Sequence, residues 1–533
     1  MKVTYIEIKD FIIITLASLI LGRSFATIQD GSQASGFLGF FVLFYLSFLF
    51  LRLSYGWSRG GETLGVIIAL AFLLRLGVGL GLYLGLPVYG HSDEDDRAGY
   101  VFTDAHNRDN QAWMLATSEH PIFDAFSRKY VSDQYGGLLA FNSLLYRYLS
   151  PDAQRPIMLI LFSAFFAALG VPFLWRAVTL VFGERVAWAT AWIFALFPES
   201  VLLGASAMRE PYLLTFSAFA LWGFVNSGVH ELALAGDSKL TDSKICAYIW
   251  SGIGLLGMLL VSPAVAIFTL VIFAGWIFFA SERHQLSWKV IVSISAIFIL
   301  ALFLLSSSLN RSGQFEATSP LHVVNDWLKS AVKWDAYQLE RESGWVQKLF
   351  DEMPQWMRLP FIAIYGMLQP VLPATFMKPT VLIWKLIGFL RALGWYAILP
   401  FLILSFVAAA GARSRKTRNL LLWLALLVWA WIVLAALRGG GDLFDNPRYR
   451  TILFLWQSLL AGYTWVWWRE TRSVWVWVVL LMELVLIVIF TLWYGSRYYY
   501  WPGQLPFPVM VAVILGLWVV ILGGGWRLNK RRA

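Results

Sequence analysis

Charge and cysteine are both scarce in this chain. Only 14% of its 533 residues are charged, and Cys246 is its single cysteine. One thiol cannot build a disulfide framework or a thiolate metal cluster, and six dispersed histidines do not indicate a histidine-ligated metal. No glycine-rich loop follows a predicted strand, so the sequence gives no sign of a P-loop or a dinucleotide-binding fold. Common classes of nucleotide-dependent and metal-dependent soluble enzymes are therefore disfavoured.

Apolar residues dominate instead. Hydrophobic residues make up 59% of the chain, 28 residues are tryptophan, and the mean hydropathy is +0.65. A soluble domain cannot hide that much apolar surface from water. The sequence therefore predicts an all-α polytopic membrane protein.

Runs of about 18 to 25 apolar residues match the ~30 Å thickness of a bilayer core. We predict about fourteen membrane-spanning helices, near 11–28, 36–53, 63–87, 156–180, 187–204, 211–228, 246–262, 264–281, 288–307, 390–411, 419–437, 450–468, 474–494 and 505–524. An even number of spans places both termini on one side. These spans divide the chain into a two-helix extension, a motif-bearing module, a central segment and the C-terminal helices: 1–60, 61–281, 282–411 and 412–533.

Charge decides which side is cytoplasmic. The short loops on the side of the termini hold 20 Lys and Arg against 9 Asp and Glu, whereas acids balance the basic residues on the other side. Short loops with uncompensated positive charge stay in the cytoplasm. We therefore expect a cell-membrane protein with both termini cytoplasmic, and we read the pI of about 9.5 as a topology signal rather than a sign of nucleic-acid binding.

Two long segments, 88–155 and 308–358, face the outside in this topology. Both are amphipathic in part and rich in aromatic residues, so we expect interfacial helices there. In the first, Leu138, Phe141, Leu145 and Tyr148 would share one apolar stripe, with Tyr146 and Arg147 beside it.

Three prolines interrupt the apolar stretch 359–376. They free backbone carbonyls that lipid cannot satisfy, and we expect a re-entrant or interfacial pair of half-helices. The alternative, a kinked full span, would reverse every later loop.

Candidate site residues cluster near the predicted outer surface. In the first long loop, Asp104 and Asp109 are flanked by apolar or aromatic residues and by Arg108, which can hold a carboxylate ionised. Asp133 is a further acid of this loop. The spacing alone leaves open whether Asp104 or Asp109 is a base or a salt-bridged anchor.

Later segments add an acid within a span and several cations. Glu199 lies in the outer part of a span, where an ionisable residue is costly unless it faces a polar cavity. The turn after it carries Arg209 and Glu210, and Arg448 and Arg450 stand at the outside edge of a later helix, suited to a phosphate or to snorkelling. Arg75, inside a span, is expected to make an interhelical contact.

This arrangement resembles the GT-C class of integral-membrane glycosyltransferases, in particular the protein-O-mannosyltransferase and aminoarabinose-transferase branches. In those branches a key aspartate begins a loop helix, with an aromatic residue about four positions on and a small residue a turn later. Asp109, Trp113 and Ala116 fit this spacing, whereas Asp104 is followed four residues later by Arg108. The chain departs from the pattern at Asn110, where an acid often follows the aspartate.

The resemblance implies transfer of a sugar from a polyprenyl-phosphate donor to a hydroxyl of a glycan, lipid or protein acceptor, with inversion at the sugar. Asp109 or Asp104 would be the general base; Arg108, Asp133, Glu199, Arg209, Glu210, Arg448 and Arg450 would bind substrate. We expect no cofactor and no nucleic-acid partner, although a divalent metal is compatible with the chemistry. The alternatives are a lipid or solute transporter or flippase, and a sugar ligase or polymerase.

Overall fold

The structure is a computed structural model. It describes residues 7–127, 130, 133, 135–227, 243–280, 352–377, 379–440 and 442–532. These residues form helices joined by turns, and no strand occurs among them. The predicted all-α class is therefore confirmed.

The described chain separates into two compact units. The first comprises the described residues up to 280 together with 451–455. Its helices are α1 (Ile8–Ala26), α2 (Gln33–Ser58), α3 (Gly61–Tyr89), α4 (Glu94–Arg97), α5 (Thr103–Thr117), α6 (Gly137–Leu149), α7 (Pro156–Phe182), α8 (Glu184–Leu196), α9 (Pro198–Ala205), α10 (Glu210–Asn226), α11 (Lys244–Val261) and α12 (Pro263–Ala280), with a 3-10 turn at Ile122–Phe126.

Helix α7 is the central helix of the first unit. It packs against α2, α3, α8 and α10, and 83% of an apolar 18-residue stretch of this helix is buried. A helix that is apolar all round is covered either by protein or by lipid, and α7 is covered mainly by its neighbouring helices. The polar segment that carries α4, α5 and α6 joins α3 to this central helix.

Helices α8 and α9 form a pair bent by 49°. Pro198 starts α9 and lacks the N–H that would continue the helix. Arg75 of α3 is fully buried and donates to the carbonyl of Ala195 and to Ser200 Oγ, both at 3.0 Å. The prediction that Arg75 makes an interhelical contact is confirmed.

The second unit comprises the described residues 352–450 and 456–532. Its helices are α13 (Gln355–Leu368), α14 (Leu372–Met377), α15 (Leu382–Ile403), α16 (Ser405–Ala410), α17 (Arg415–Gly439), α18 (Asp445–Thr451), α19 (Phe454–Thr471), α20 (Val474–Tyr498) and α21 (Phe507–Arg532), of which α18 and α19 run into the stretch grouped with the first unit. Helices α20 and α21 are the least covered, with 17% and 11% of their apolar windows buried.

The proline-rich stretch 359–376 contains a helix break. Helix α13 ends at Leu368, Pro370 follows, and α14 begins at Leu372. The carbonyls next to such a break lose their helical donors and need other partners in an apolar environment. The break confirms the expected pair of helices, while the re-entrant path stays a prediction.

Side chains from α15 cover two of these carbonyls. Trp395 donates from Nε1 to Met367 O at 2.9 Å, and Tyr396 donates its hydroxyl to Leu368 O at 3.1 Å. Both side chains are buried, so water does not compete for the carbonyls. The two bonds fix the end of α13 against α15.

Eight helices of the described residues are long and apolar enough to cross a membrane, or nine if α8 and α9 form one span. This supports a multi-pass membrane protein, but it does not reach the expected fourteen. Two of the other expected spans correspond to α10, which has 17 residues, and to α1, which carries Lys9, Asp10 and Arg23. The expected span at 288–307 and the loop at 308–351 lie outside the described residues. The four-part division of the chain stays a prediction.

Candidate functional site

Asp109 lies on α5, in the segment between α3 and α7, and only 2% of its surface is exposed. Both of its oxygens accept a hydrogen bond from a phenol. Tyr146 donates to Oδ1 at 2.5 Å, and Tyr100 donates to Oδ2. The carboxylate is thus held between two tyrosines that are far apart in sequence.

Tyr100 belongs to irregular backbone between α4 and α5. Gly99 before it has φ +81°, and a Cβ there would meet the Tyr83 carbonyl at 2.6 Å, so this turn requires glycine. The Tyr100 ring stacks on His106 with centroids 4.6 Å apart. His106 in turn bonds through Nδ1 to Asp95 Oδ1 at 2.7 Å. A stacked ring on a glycine turn places this phenol over Asp109.

Tyr146, in contrast, is fixed within regular helix. It lies on α6, is fully buried, and meets Trp113 edge-on with ring centroids 5.5 Å apart. Asp109, Trp113 and Ala116 are spaced to share one face of α5, and Ala116 packs in the same apolar cluster as Tyr146. The three residues matched to the glycosyltransferase spacing therefore surround one contact between α5 and α6.

Two polar anchors reinforce this contact. Arg147 of α6 donates to carbonyls at the end of α5, among them Leu115 O at 2.6 Å and Ala116 O at 3.1 Å. These carbonyls have no partner within the helix. Asp133 accepts a bond from the Leu139 N–H at 3.0 Å, at the first turn of α6. Both bonds fix α6, and so the position of Tyr146.

A recess opens beside Asp109. Its walls come from α3, α5, α6, α7 and the turn after α9, and its polar lining consists of Tyr83, Tyr100, Asp109, Asn142 and Ser206. The recess holds about 420 Å³ of free space, open mouth included, but only about 20 Å³ admits the centre of a water molecule. A sugar ring would need side chains at the mouth to move.

Burial raises the pKa of the Asp109 carboxyl above its ordinary value of 3.8, and bonds from Tyr100 and Tyr146 offset part of that rise. Burial, the Asp109 charge and the shared hydrogen bond also raise the pKa of Tyr100. Tyr146 shifts in the same direction, again through burial first and Asp109 second. Both phenols therefore stay protonated and act as donors to the carboxylate. A carboxyl with a raised pKa is closer to the range that suits a general base.

The other loop acids and Arg108 differ in their surroundings. Asp104, in the first turn of α5, is exposed and does not line the recess. Arg108 is buried on α5. The carboxylate of Asp133 has the capping role described above. Of the two candidate bases, the structure thus places only Asp109 at the recess.

Glu199, Arg209 and Glu210 belong to α9, to the turn after it and to the start of α10. Glu199 is buried in the first turn of α9, where a helix N-terminus favours a negative charge. Arg209 Nε lies 3.8 Å from Glu210 Oε1, at the start of α10. Ala207, two residues before Arg209, lines the recess with φ +50°, an uncommon value for a residue with a Cβ.

Arg448 and Arg450 belong to the second unit. Arg448 is buried and pairs with Asp445 at 3.4 Å. Arg450 donates from Nη2 to Gln369 O at 2.9 Å and from Nη1 to Met367 O at 3.4 Å, and its guanidinium stacks on Trp395 at 3.4 Å from the ring centroid. These contacts occupy donors of Arg450 at the break after α13.

Sequence reasoning missed Tyr100 and Asn142. It expected Tyr146 at the membrane interface, beside the apolar stripe of α6, whereas the structure buries Tyr146 against Asp109. The stripe itself divides, because Leu138 is buried and Tyr148 is 72% exposed. Covariation between positions 109 and 146 in related sequences is the signal that could have identified Tyr146.

No group of three or more His, Cys, Asp or Glu side chains placed to hold a metal occurs among the described residues. Metal dependence therefore stays an open prediction. The polar groups at the recess are suited to hydroxyl-bearing ligands.

Fold and site together define a multi-pass helical membrane protein with a buried carboxylate beside a recess. No protein-family model matches the chain, and no curated protein matches it. A solved structure that it matches is the archaeal oligosaccharyltransferase AglB from Archaeoglobus fulgidus in complex with an inhibitory peptide and a dolichol-phosphate, with a TM-score of 0.39 and 15% identity. The match covers 88% of this chain and 55% of that one. At so low a TM-score, the likeness carries no weight for fold or function.

Proposed function

We propose that this protein is a membrane glycosyltransferase that moves a sugar from a polyprenyl-phosphate donor to an acceptor hydroxyl on the extracytoplasmic face. The observation that carries the proposal is the Asp109 carboxylate, buried on the motif-bearing helix and opening on a recess. The agreement of this position with the Asp109, Trp113 and Ala116 spacing supports the GT-C resemblance.

The reaction needs one base and one set of cations. Asp109 takes the proton of the acceptor hydroxyl while the acceptor oxygen forms a bond to the anomeric carbon of the donor. The bond from that carbon to the phosphate oxygen breaks, and the polyprenyl phosphate leaves with both electrons. Attack opposite the leaving group inverts the anomeric carbon. Arg209 of the first unit is our candidate to hold the departing phosphate.

The other predicted residues take supporting roles in this proposal. Glu199 and Glu210 shape the sugar or acceptor side, Asp133 positions α6, and Asp104 guides the acceptor at the exposed end of α5. Arg108 keeps the local field positive beside the carboxylates.

The test is release of polyprenyl phosphate from a panel of polyprenyl-phosphate sugars, using purified protein in nanodiscs. We expect Asp109→Asn to abolish release, as loss of a general base typically costs about 10²–10⁴-fold. Asp104→Asn should retain kcat, with any loss confined to the acceptor KM, because Asp104 guides the acceptor and is not the base. The matched control is Asp124→Asn, a loop carboxylate that is 39% exposed and 3.2 Å from His120.

Binding of polyprenyl phosphate to the Asp109→Asn protein, measured by protection against thermal unfolding, separates a lost base from a lost fold. Full activity of Asp109→Asn would overturn the proposal. So would movement of a solute or lipid across sealed vesicles by a protein that never cleaves any donor, which is the transporter alternative.

A further inference from the structure

The two oxygens of Asp109 face different surroundings. Oδ1 faces Tyr146, which is fully buried in an apolar cluster and does not line the recess. Oδ2 faces Tyr100, which is only half-buried and lines the recess beside Asp109 itself. A ligand in the recess can therefore reach Oδ2 but not Oδ1.

The backbone that carries Tyr146 is also more rigid than the backbone that carries Tyr100. Tyr146 is held by regular helix and by Trp113 against its ring. Tyr100 stands in a non-helical link of three residues behind a glycine with φ +81°. Irregular backbone next to glycine can change conformation at lower cost than a packed helix. Tyr100 is therefore the phenol that a ligand can displace from the Asp109 carboxylate.

A second acceptor at the recess, the side-chain oxygen of Asn142, accepts no hydrogen bond from the described residues. Asn142 is 2% exposed and lines the recess, and its Oδ1 has no hydrogen-bond partner among the described residues. Buried polar atoms without a partner are rare because each costs free energy. An acceptor that faces a recess and lacks a donor indicates a ligand that brings one.

We propose that the recess is the acceptor subsite, in which a neutral ligand with at least two hydroxyl groups places one on Asp109 Oδ2, displacing the Tyr100 phenol, and another on Asn142 Oδ1. Tyr146 stays on Oδ1 and orients the carboxylate. Tyr100 in the present structure stands in for the acceptor hydroxyl. The assignment of roles to the acceptor rests on the proposed function, whereas the inequality of the two oxygens does not.

The inequality is tested without any substrate. The infrared carboxyl band of Asp109, identified by its loss in Asp109→Asn, is titrated with pH in the parent protein, Tyr100→Phe and Tyr146→Phe. In Tyr146→Phe nothing replaces the phenol in the apolar cluster, so the midpoint should rise by about one pH unit. In Tyr100→Phe, water from the recess takes the vacant place, so the midpoint should move much less.

The titratable groups that face Asp109 are Tyr83 from α3, His106 from α5, Tyr146 from α6, and Tyr100; the Gln154 side-chain amide also hydrogen-bonds to the carboxylate. Because His106 also acts on the carboxylate when charged, each titration is repeated in a His106→Gln background. Equal shifts for the two tyrosine variants, in both backgrounds, would overturn the inequality.

Kinetics test the acceptor roles once a donor is found. Tyr100→Phe should keep kcat within about threefold, whereas Tyr146→Phe should lower kcat by about tenfold or more and move the acid limb of kcat/KM to higher pH. Asn142→Leu should raise the acceptor KM by about 3- to 10-fold without lowering the melting temperature, because it removes a buried acceptor that has no donor.

These outcomes separate the two proposals. Activity retained in Asp109→Asn would end the proposed function, yet the infrared comparison would still decide the inequality of the oxygens. If Asp109→Asn loses activity, the proposed function stands. The acceptor subsite is then refuted if Tyr100→Phe is as impaired as Tyr146→Phe, or if Asn142→Leu leaves the acceptor KM unchanged.

Discussion

Arg450 offers the sharpest test of how the second unit is built. The sequence made it a phosphate-binding candidate, but its guanidinium stacks on Trp395 and donates to Gln369 O at the break after α13. We expect Arg450→Met, which keeps the length and removes the charge, to destabilise the protein.

The magnitude follows from two contacts. A hydrogen bond from a charged group to the Gln369 carbonyl contributes about 1.5–3 kcal/mol, and a desolvated cation–π contact contributes about 2 kcal/mol. Met367 O keeps Trp395 as its donor, so its bond adds little. The sum is about 3–5 kcal/mol, which lowers the melting temperature by on the order of 10 °C in a unit of this size.

The assay is intrinsic tryptophan fluorescence during heating, in one detergent and with and without polyprenyl phosphate. Arg415→Met is the matched control: its side chain is exposed in the first turn of α17, so its removal should leave the melting temperature unchanged. Our reasoning is refuted if Arg450→Met melts with the parent protein. If Arg450→Met melts with the parent protein but loses the stabilisation by polyprenyl phosphate that the parent shows, Arg450 is a phosphate ligand and does not stabilise the break after α13.

Three further predictions concern the first unit. Burial raises the pKa of the Asp109 carboxyl above 3.8. The protonated carboxyl therefore contributes its full stability to the fold below pH 3.8, and this contribution is lost as the pH rises through the raised pKa. Asp109→Asn should accordingly melt higher than the parent protein at neutral pH but not near pH 3.8. Gly99→Ala should lower the melting temperature, since φ +81° costs about 1–2 kcal/mol with a Cβ, whereas Gly81→Ala, with open space around it, should not. Arg147→Met should loosen α5 from α6, measured as faster amide exchange at the end of α5, while exchange in α7 stays unchanged.

Composition predicted the all-α class of the molecule, and helix spacing indicated its candidate base. Apolar runs are local in sequence, and membrane helices satisfy their own backbone, so their existence can be read from the chain. Asp109 was preferred over Asp104 by the spacing to Trp113 and Ala116, and only Asp109 is buried at the recess. That preference depended on one helix alone.

The partners of Asp109 could not be predicted in this way. Tyr146 is 37 residues away in sequence, and it reaches Asp109 only because α5 packs on α6. Asn142 meets the recess through the same packing. Contacts of this kind depend on the relative placement of two helices, which no local pattern contains.

The two faces of α6 show why hydrophobic periodicity is ambiguous for a helix at a bilayer surface. In water the apolar face of an amphipathic helix is the buried one. Here Leu138 is buried beside Asn142 and Tyr146, while Leu144 and Tyr148 are exposed. A helix at a bilayer surface can turn apolar side chains to lipid and polar ones to the protein. The exposed leucine and tyrosine therefore favour the interfacial placement expected for α6.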